Sequence, residues 1–161
     1  MRKALIGIGS NIGDRKGYID SAIEALNNIP TVSVLRVSSI YETEPWGYVN
    51  QDNFYNAVIE VETTLTPNTL LGVCLGIEAG IGRVREFKNG PRVLDLDLLI
   101  FEGKESTSAE LTLPHPRMFE RDFVLIPLKD LYPDMKIYHK YNLKHYYDML
   151  EEHNNVTKLD L

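Results

Sequence analysis

The order of hydrophobic patterns along the chain is the feature that most constrains its fold. Segments that alternate apolar and polar residues, or that are rich in β-branched residues, predict strands, whereas an apolar stripe at helical spacing predicts a helix. The patterns give the order strand, helix, strand, strand, helix, strand. This is the split βαβ order of a ferredoxin-like α+β fold, and we expect an antiparallel sheet covered on one face by two helices.

The predicted elements can be placed along the sequence from their flanking signals. Asp14 is a candidate cap for the first helix, and Thr66 followed by Pro67 is a good opening for the second. The predicted strands span residues 3–10, 32–41, 54–61 and 93–101, and the apolar helix stripes comprise Ile19, Ala22, Ile23 and Leu26, then Leu70, Val73, Cys74 and Ile77. Further helices are predicted at 118–131 and 143–153, and long loops at 44–53 and 82–91.

Length and composition limit the classes of protein that the chain can belong to. The 161 residues suit a single domain spanning 1–161, and the net charge of −6 opposes non-specific binding to nucleic acid. No apolar stretch approaches the roughly 20 residues that cross a bilayer, and the amino terminus does not resemble a secretory signal. The single cysteine, Cys74, has apolar neighbours and is expected to be buried. We therefore expect a cytoplasmic protein without nucleic-acid or membrane partners, and we also expect it to be a monomer, although composition does not decide the oligomeric state.

Two aspartates in the last predicted strand are the main candidates for chemistry. Alternation places Leu94, Leu96, Leu98 and Ile100 on one face and leaves Asp95 and Asp97 side by side on the other. Aspartate is disfavoured in strands, and two such carboxylates would repel each other without a cation. Magnesium needs only one or two protein carboxylates when substrate phosphates complete its shell. The pair predicts a magnesium site, although an exposed polar face of an edge strand would give the same pattern.

A basic loop precedes this strand in an otherwise acidic protein. Arg83, Arg85, Lys88 and Arg92 lie within ten residues, with a single acidic residue among them. Arginine suits phosphate because its planar fork donates two parallel hydrogen bonds and remains charged. Seen alone, the loop could equally be a solvated surface. Beside the carboxylate pair, it favours phosphoryl-type transfer.

A histidine held between two prolines adds a further candidate. His115 lies in the run Leu113-Pro114-His115-Pro116, where the rigid backbone could direct the imidazole at a phosphate oxygen, and Arg121 follows. The Gly-x-x-x-x-Gly-Lys-Ser/Thr loop and the dinucleotide glycine spacing are both absent. A nucleotide would therefore have to be bound in some other way.

Several short motifs, taken together and in order, resemble one enzyme family. They are Gly9-Ser10-Asn11, Tyr41-x-Thr43, Asn56-Ala57, Gly82-Arg83-Val84-Arg85, Gly90-Pro91-Arg92-x-Leu94-Asp95-Leu96-Asp97 and Pro114-His115. The chain resembles the 6-hydroxymethyl-7,8-dihydropterin pyrophosphokinases of folate biosynthesis from residue 5 to about 131. The resemblance implies transfer of the β,γ-diphosphate of ATP to the pterin hydroxymethyl oxygen, with release of AMP.

The resemblance also implies roles for individual residues. Asp95 and Asp97 match the ligands of two magnesium ions, Arg83 and Arg92 match the arginines that attend the transferred group, and Asp97 is a candidate base. Residues expected to contact ATP are Leu71, Glu78, Arg85, Thr112, His115 and Arg121. Residues expected to bind the pterin are Thr43, Phe54, Asn56 and Phe123, with the two phenylalanines stacking on the heterocycle and the amide reading its edge.

Departures from the family pattern and two other functions remain open at this point. Asn89 and Pro116 stand where the family can carry aromatic residues, which predicts looser closure over ATP. A nucleotidyltransferase would also use an Asp-x-Asp pair and arginines, but would release pyrophosphate. A ferredoxin-like ligand-binding or RNA-binding module would explain the fold and leave Asp95 and Asp97 without a purpose.

Overall fold

The computed structural model describes residues 1–45, 50–82, 93–150 and 156–161. The strands are β1 Arg2–Ser10, β2 Val32–Val37, β3 Tyr41–Thr43, β4 Phe54–Thr63, β5 Asp95–Phe101, β6 Ser106–Thr107, β7 Thr112–Leu113, β8 Lys136–Ile137, β9 Tyr141–Asn142 and β10 Val156–Lys158. The helices are α1 Arg15–Asn28, α2 Pro67–Ile81, α3 Asp122–Leu131 and α4 Lys144–Asp148, with a 3-10 turn at Met118–Glu120.

The main sheet has the predicted ferredoxin-like arrangement, with one strand added. Its order is β10-β3-β4-β1-β5, β2 also pairs with β4, and every pairing is antiparallel. The path β2-β4-β1-β5, with α1 and α2 as its connections, reproduces the expected split βαβ topology. The predicted fold class is therefore confirmed.

The predicted second strand is divided in two. β2 ends at Val37 and β3 begins at Tyr41, whereas the sequence predicted one strand over 32–41. Ser38 replaces part of the backbone ladder, because its hydroxyl accepts from the Val58 N–H at 2.9 Å and donates to the Ser39 carbonyl at 2.8 Å. A bulge between Val34 and Arg36 precedes this break. The chain can thus change direction here without leaving the Val58 N–H unpaired.

The two predicted helices cover one face of the sheet and are capped as expected. The Asp14 carboxylate accepts from the Gly17 N–H, the Thr66 hydroxyl accepts from the Thr69 N–H, and Gly82 ends α2 in the left-handed region. The core on this face includes Ile6, Ile8, Ile19, Leu26, Leu70, Cys74, Leu96 and Leu98. Burial raises the pKa of the Cys74 thiol to about 12, which suits an inert core cysteine.

The opposite face of the sheet is also covered, which the sequence did not predict. α3 and the segment after it pack there on a second apolar cluster that includes Leu5, Val58, Leu99, Ile100, Leu125 and Leu128.

A bulge in β5 explains why Ile100 lies in this cluster, although alternation predicted it on the same face as Leu98. Leu5 pairs with Ile100 and Ile6 with Leu98, so that Leu99 is the extra residue and the following side chains change face.

The carboxyl-terminal helices are shorter than predicted. The expected helix over 118–131 is interrupted at Arg121, whose backbone is extended at φ −98° and ψ 111°, so that a 3-10 turn and α3 replace one helix. The expected helix over 143–153 is observed only as Lys144–Asp148. Positions 151–153 of the predicted span lie outside the described residues.

Over the parts of the chain that the structure describes, no helix combines the length and apolarity needed to span a membrane.

Candidate active site

A cavity of about 780 Å³ lies where β1, β4 and β5 meet α2, α3 and the turn before α3. It brings together predicted site residues from six separate parts of the sequence. Those that line it are Thr43, Phe54, Asn56, Leu71, Glu78, Asp95, Asp97, His115, Arg121 and Phe123. The structure thus places the expected ATP-binding, pterin-binding and carboxylate residues around one space.

The carboxylate pair faces this cavity across two glycines. Asp95 pairs with Gly9 and Asp97 with Gly7 on the neighbouring strand β1. Directly opposed residues of an antiparallel pair project from the same face, so glycine at both positions leaves the space beside each carboxylate free of a β1 side chain. The two aspartates are half-buried. They are therefore held close together, on a rigid strand, with room for a ligand.

The chemistry of these donors fits a hard divalent cation. Carboxylate oxygens are the ligands that magnesium prefers, and the pair needs only substrate phosphates and water to complete the shell. Among the residues described, no group of three or more histidine, cysteine, aspartate or glutamate side chains could hold a metal on its own. Two carboxylates suit a cation whose remaining positions are filled by phosphate oxygens and water.

Arg121 brings positive charge to the same carboxylates. Its Nη1 lies 3.6 Å from Asp97 Oδ2, and its guanidinium carbon lies 5.5 Å from the centre of the Phe123 ring. The extended backbone that interrupts the predicted helix at this residue also separates the 3-10 turn from α3. Both Arg121 and Phe123 line the cavity, so a single short segment supplies a charged and an aromatic contact.

Glu78 is deeply buried and joins α2 to the strand that carries the aspartates. Its Oε1 accepts from the Leu96 N–H at 2.7 Å, and the residue is only 2% exposed. Leu96 lies between Asp95 and Asp97 on an edge strand, where an outward N–H needs a partner. The carboxylate thus fixes the backbone between the two candidate ligands.

Asn56 and Thr43 form the polar part of the opposite wall. The Asn56 Nδ2 donates to the Thr43 Oγ1 at 2.8 Å, and both residues are buried. This bond leaves the amide oxygen of Asn56 directed towards β1, where a Cβ on Gly9 would lie 2.8 Å from Asn56 Oδ1. The absence of a side chain at Gly9 therefore allows the amide to sit in this orientation.

We expect Gly9→Ala to weaken substrate binding on this wall by about fivefold. The added Cβ must displace the Asn56 amide, which strains its bond to Thr43, and one such bond contributes about 1 kcal/mol. The Michaelis constant for the expected pterin substrate would measure the effect. Gly76→Ala is the matched control, because no atom lies within 4 Å of the added Cβ. An unchanged constant in Gly9→Ala would contradict this description of the wall.

His115 is held in a defined tautomer beside the carboxylates. Its Nδ1 accepts from the Arg117 N–H at 3.2 Å, and its own backbone N–H donates to the Leu99 carbonyl at 2.7 Å. Burial lowers the pKa of the imidazole, and Arg121 and Arg117 lower it further. The ring is therefore neutral near pH 7, with its proton on Nε2, and can donate one hydrogen bond into the cavity.

Some predicted residues lie elsewhere, and some cavity residues were not predicted. Thr112 does not line the cavity, because it lies in β7 and bonds to the Ser108 carbonyl. Arg83, Arg85 and Arg92, with Asn89, lie outside the described residues.

Lining residues absent from the predictions include Leu75, Arg117, Glu120, Asp122 and Leu150. Leu75 could have been found, since it follows Leu71 by four residues and shares its helix face.

Comparisons with known proteins identify one enzyme family. Residues 5–133 match the model of the family described as 7,8-dihydro-6-hydroxymethylpterin-pyrophosphokinase (HPPK). A 2-amino-4-hydroxy-6-hydroxymethyldihydropteridine pyrophosphokinase of Methylorubrum extorquens is 47% identical over 137 residues, covering 85% of this chain and 87% of that protein. A Bacillus subtilis protein of the same name is 47% identical over 128 residues, covering 80% of this chain and 77% of its own length.

A solved structure supports the fold independently. The crystal structure of Plasmodium falciparum HPPK-DHPS matches 98% of this chain with a TM-score of 0.69 and 14% sequence identity. This chain spans 47% of the length of that structure, so the likeness concerns one part of a larger protein. The match over residues 5–133 and the two relatives show that the chain belongs to the 7,8-dihydro-6-hydroxymethylpterin-pyrophosphokinase family, whose pyrophosphokinase activity on hydroxymethyldihydropterin in folate biosynthesis it shares.

Proposed function

We propose that ATP is the diphosphate donor and that AMP is the second product. In this reaction the hydroxymethyl oxygen of the pterin forms a bond to the β-phosphorus of ATP. The bond from that phosphorus to the oxygen shared with the α-phosphate breaks, and the hydroxyl proton is lost. The observation that supports this most directly is the shared cavity, because Asp95, Asp97 and the Asn56–Thr43 pair all line it.

We further propose that two magnesium ions accompany ATP and are held by Asp95 and Asp97. When bound, such ions neutralise phosphate charge and lower the pKa of an attacking hydroxyl group. The proposal is supported by the position of both carboxylates opposite glycines, with oxygen donors of the type that magnesium prefers. Leu96, held by Glu78, fixes the distance between the two ligands.

The remaining residues of the site orient the substrates. Asn56, with its amide anchored on Thr43, would read the polar edge of the pterin, and Phe54 and Phe123 would stack on its faces. The Nε2–H of neutral His115 would donate to a phosphate oxygen, and Arg121 would offset phosphate charge. Leu71 would contact the adenine. Contacts from Thr112, Arg83, Arg85 and Arg92, and a role of Asp97 as base, remain predictions.

The other two functions can be weighed separately, one by its product and one by the covered face of the sheet. A nucleotidyltransferase would use the same carboxylates, so the identity of the product has to separate it from a pyrophosphokinase. An RNA-binding module of this fold reads bases on an open sheet. Here the sheet face that carries Val58, Leu99 and Ile100 is packed under α3, which leaves no such platform among the described residues.

The reaction can be tested by separating the products on a column. The protein is incubated with 6-hydroxymethyl-7,8-dihydropterin and ATP, with magnesium or with an excess of chelator. We expect equimolar AMP and pterin diphosphate in the first sample and neither product in the second. Release of inorganic pyrophosphate would indicate a nucleotidyltransferase. Product formation that is unaffected by the chelator would contradict the metal requirement.

We also propose that residues 1–161 act as one domain and that the protein works as a monomer in the cytoplasm. The large exposed apolar side chains in the described regions are spread over several parts of the chain, with Leu35 and Val37 in β2, Leu75 in α2, and Tyr146 and Met149 in and just after α4. Light scattering coupled to size-exclusion chromatography tests the monomer directly. A mass of twice 18.4 kDa at micromolar concentration would contradict it.

A further inference from the structure

The carboxyl-terminal strand β10 extends the main sheet at the substrate cavity. Val156 pairs with Thr43, Thr157 with Glu42 and Lys158 with Tyr41, and the Leu159 N–H donates to the Ile40 carbonyl at 2.9 Å. Bonded and non-bonded pairs alternate in an antiparallel ladder. Because residue 159 bonds to residue 40, Thr157 occupies the next bonded position, whereas the N–H of Lys158 points away from β3.

The strand that β10 covers is short and carries part of the site. β3 has three residues, of which Thr43 lines the cavity and accepts the hydrogen bond from Asn56. On its other side, β3 pairs with β4, with Thr43 opposite Phe54. A three-residue strand at a sheet edge would fray readily. With β10 in place, β3 is hydrogen-bonded on both sides.

The last described residues before β10, in and just after α4, also reach the cavity. Leu150 lines it, and α4 packs near α3 through Tyr147, whose ring lies 4.4 Å from the Lys129 ammonium. The Tyr146 ring lies 5.0 Å from that of Phe119 in the turn before α3. The carboxyl-terminal part of the chain therefore contacts the site at two places. Leu150 lines the cavity directly, and β10 pairs with the strand that carries Thr43.

We infer that β10 is a positioning element for the pterin side of the active site. It holds β3 in register and so fixes the Thr43 hydroxyl on which the Asn56 amide is anchored. The family match ends at residue 133, so this contribution comes from beyond the region shared with the family model. The identity of the ligand rests on the proposed function; the pairing of β10 with β3 does not.

Proline substitutions test the role of this pairing. Thr157→Pro and Leu159→Pro each remove an N–H at a bonded position, whereas Lys158→Pro removes one that points away from β3. We expect the Michaelis constant for the pterin to rise about fivefold in the first two variants, the factor expected for one lost backbone hydrogen bond. The constant for ATP should stay unchanged, and Lys158→Pro should resemble the parent protein.

Amide hydrogen exchange of residues 41–43 provides a readout that does not depend on activity. We expect faster exchange in Thr157→Pro and Leu159→Pro than in Lys158→Pro, at a temperature where circular dichroism shows all three to be folded. Equal pterin constants in all variants would overturn the inference, as would an equal rise for ATP and the pterin. If the parent protein forms no AMP, the proposed function fails instead, and the exchange comparison still decides whether β10 orders β3.

Discussion

Asp97→Asn is expected to lower kcat by about a hundredfold or more, while the protein remains folded. Metal-assisted charge stabilisation contributes several kcal/mol to a transition state, and each 1.36 kcal/mol corresponds to a factor of ten in rate. Asparagine keeps the shape of the side chain and removes its charge. The Asp97 side chain is 33% exposed, so the exchange creates no buried polar group without solvent.

The magnesium dependence of this variant distinguishes a ligand from a general electrostatic effect. Loss of one anionic ligand should shift the magnesium concentration for half-maximal rate upwards, in addition to lowering the maximal rate. Asp20→Asn is the control, because Asp20 is an exposed partner of Lys16 on α1 and does not line the cavity. A variant Asp97→Asn with parental kcat and an unchanged magnesium profile would rule out the proposed role of this carboxylate.

The sequence was most informative where local pattern and chemistry coincide. The alternation around Asp95 and Asp97 predicted two neighbouring carboxylates on one face, and the structure places both at the cavity. Caps at Asp14 and Thr66 were also readable, because a cap depends on residues within one helical turn. These features need no knowledge of distant contacts.

The features that the sequence did not predict depend on contacts between distant segments. β10 has three residues and no periodicity that could be recognised, and its partner β3 lies more than a hundred positions earlier. Leu150 lines the cavity only because α4 packs close to α3. Val58 and Glu60 lie on the face of β4 that carries its charged residues, yet both are buried, because α3 and the segment after it cover that face.

Of these buried residues, Glu60 has the largest expected effect on stability. This carboxylate is 1% exposed and is bound by three side chains from two distant segments. Arg36 donates to Oε1 through Nε and Nη2 at 3.1 and 2.9 Å, Tyr138 donates to Oε2 at 2.9 Å, and Tyr132 also donates to Oε2. Burial, followed by the bond to Glu60, raises the pKa of Tyr132 to about 12, so this phenol keeps its proton.

We expect Glu60→Ala to lower the free energy of unfolding by about 3 kcal/mol. Removing one partner of a buried ion pair costs roughly 3–5 kcal/mol, and the lower end applies because the Arg36 side chain is 43% exposed and can be partly solvated. At about 2–4 °C per kcal/mol for a chain of this size, the melting temperature should fall by about 6–12 °C. Thermal and denaturant unfolding would measure both quantities.

Glu62→Ala is a matched control, since Glu62 lies two residues further along β4 and is only partly buried. We expect it to change the free energy of unfolding by less than about 1 kcal/mol. A double variant with Arg36→Met and Glu60→Leu should be more stable than the sum of its single variants predicts, because neither charge is then left without its partner. Strict additivity would show that the two side chains do not interact as the distances indicate.

Loss of Glu60 should also affect the substrate site, because the same cluster fixes one end of α3. Arg36 donates to the Leu131 carbonyl at 2.7 Å, at the end of this helix, while Phe123 near its start lines the cavity. A ten-residue helix moves largely as one body about 15 Å long, so a shift at Leu131 is transmitted to Phe123. We therefore expect Glu60→Ala, assayed well below its melting temperature, to raise the Michaelis constant for the pterin. A destabilised variant with parental constants would limit the role of this cluster to stability.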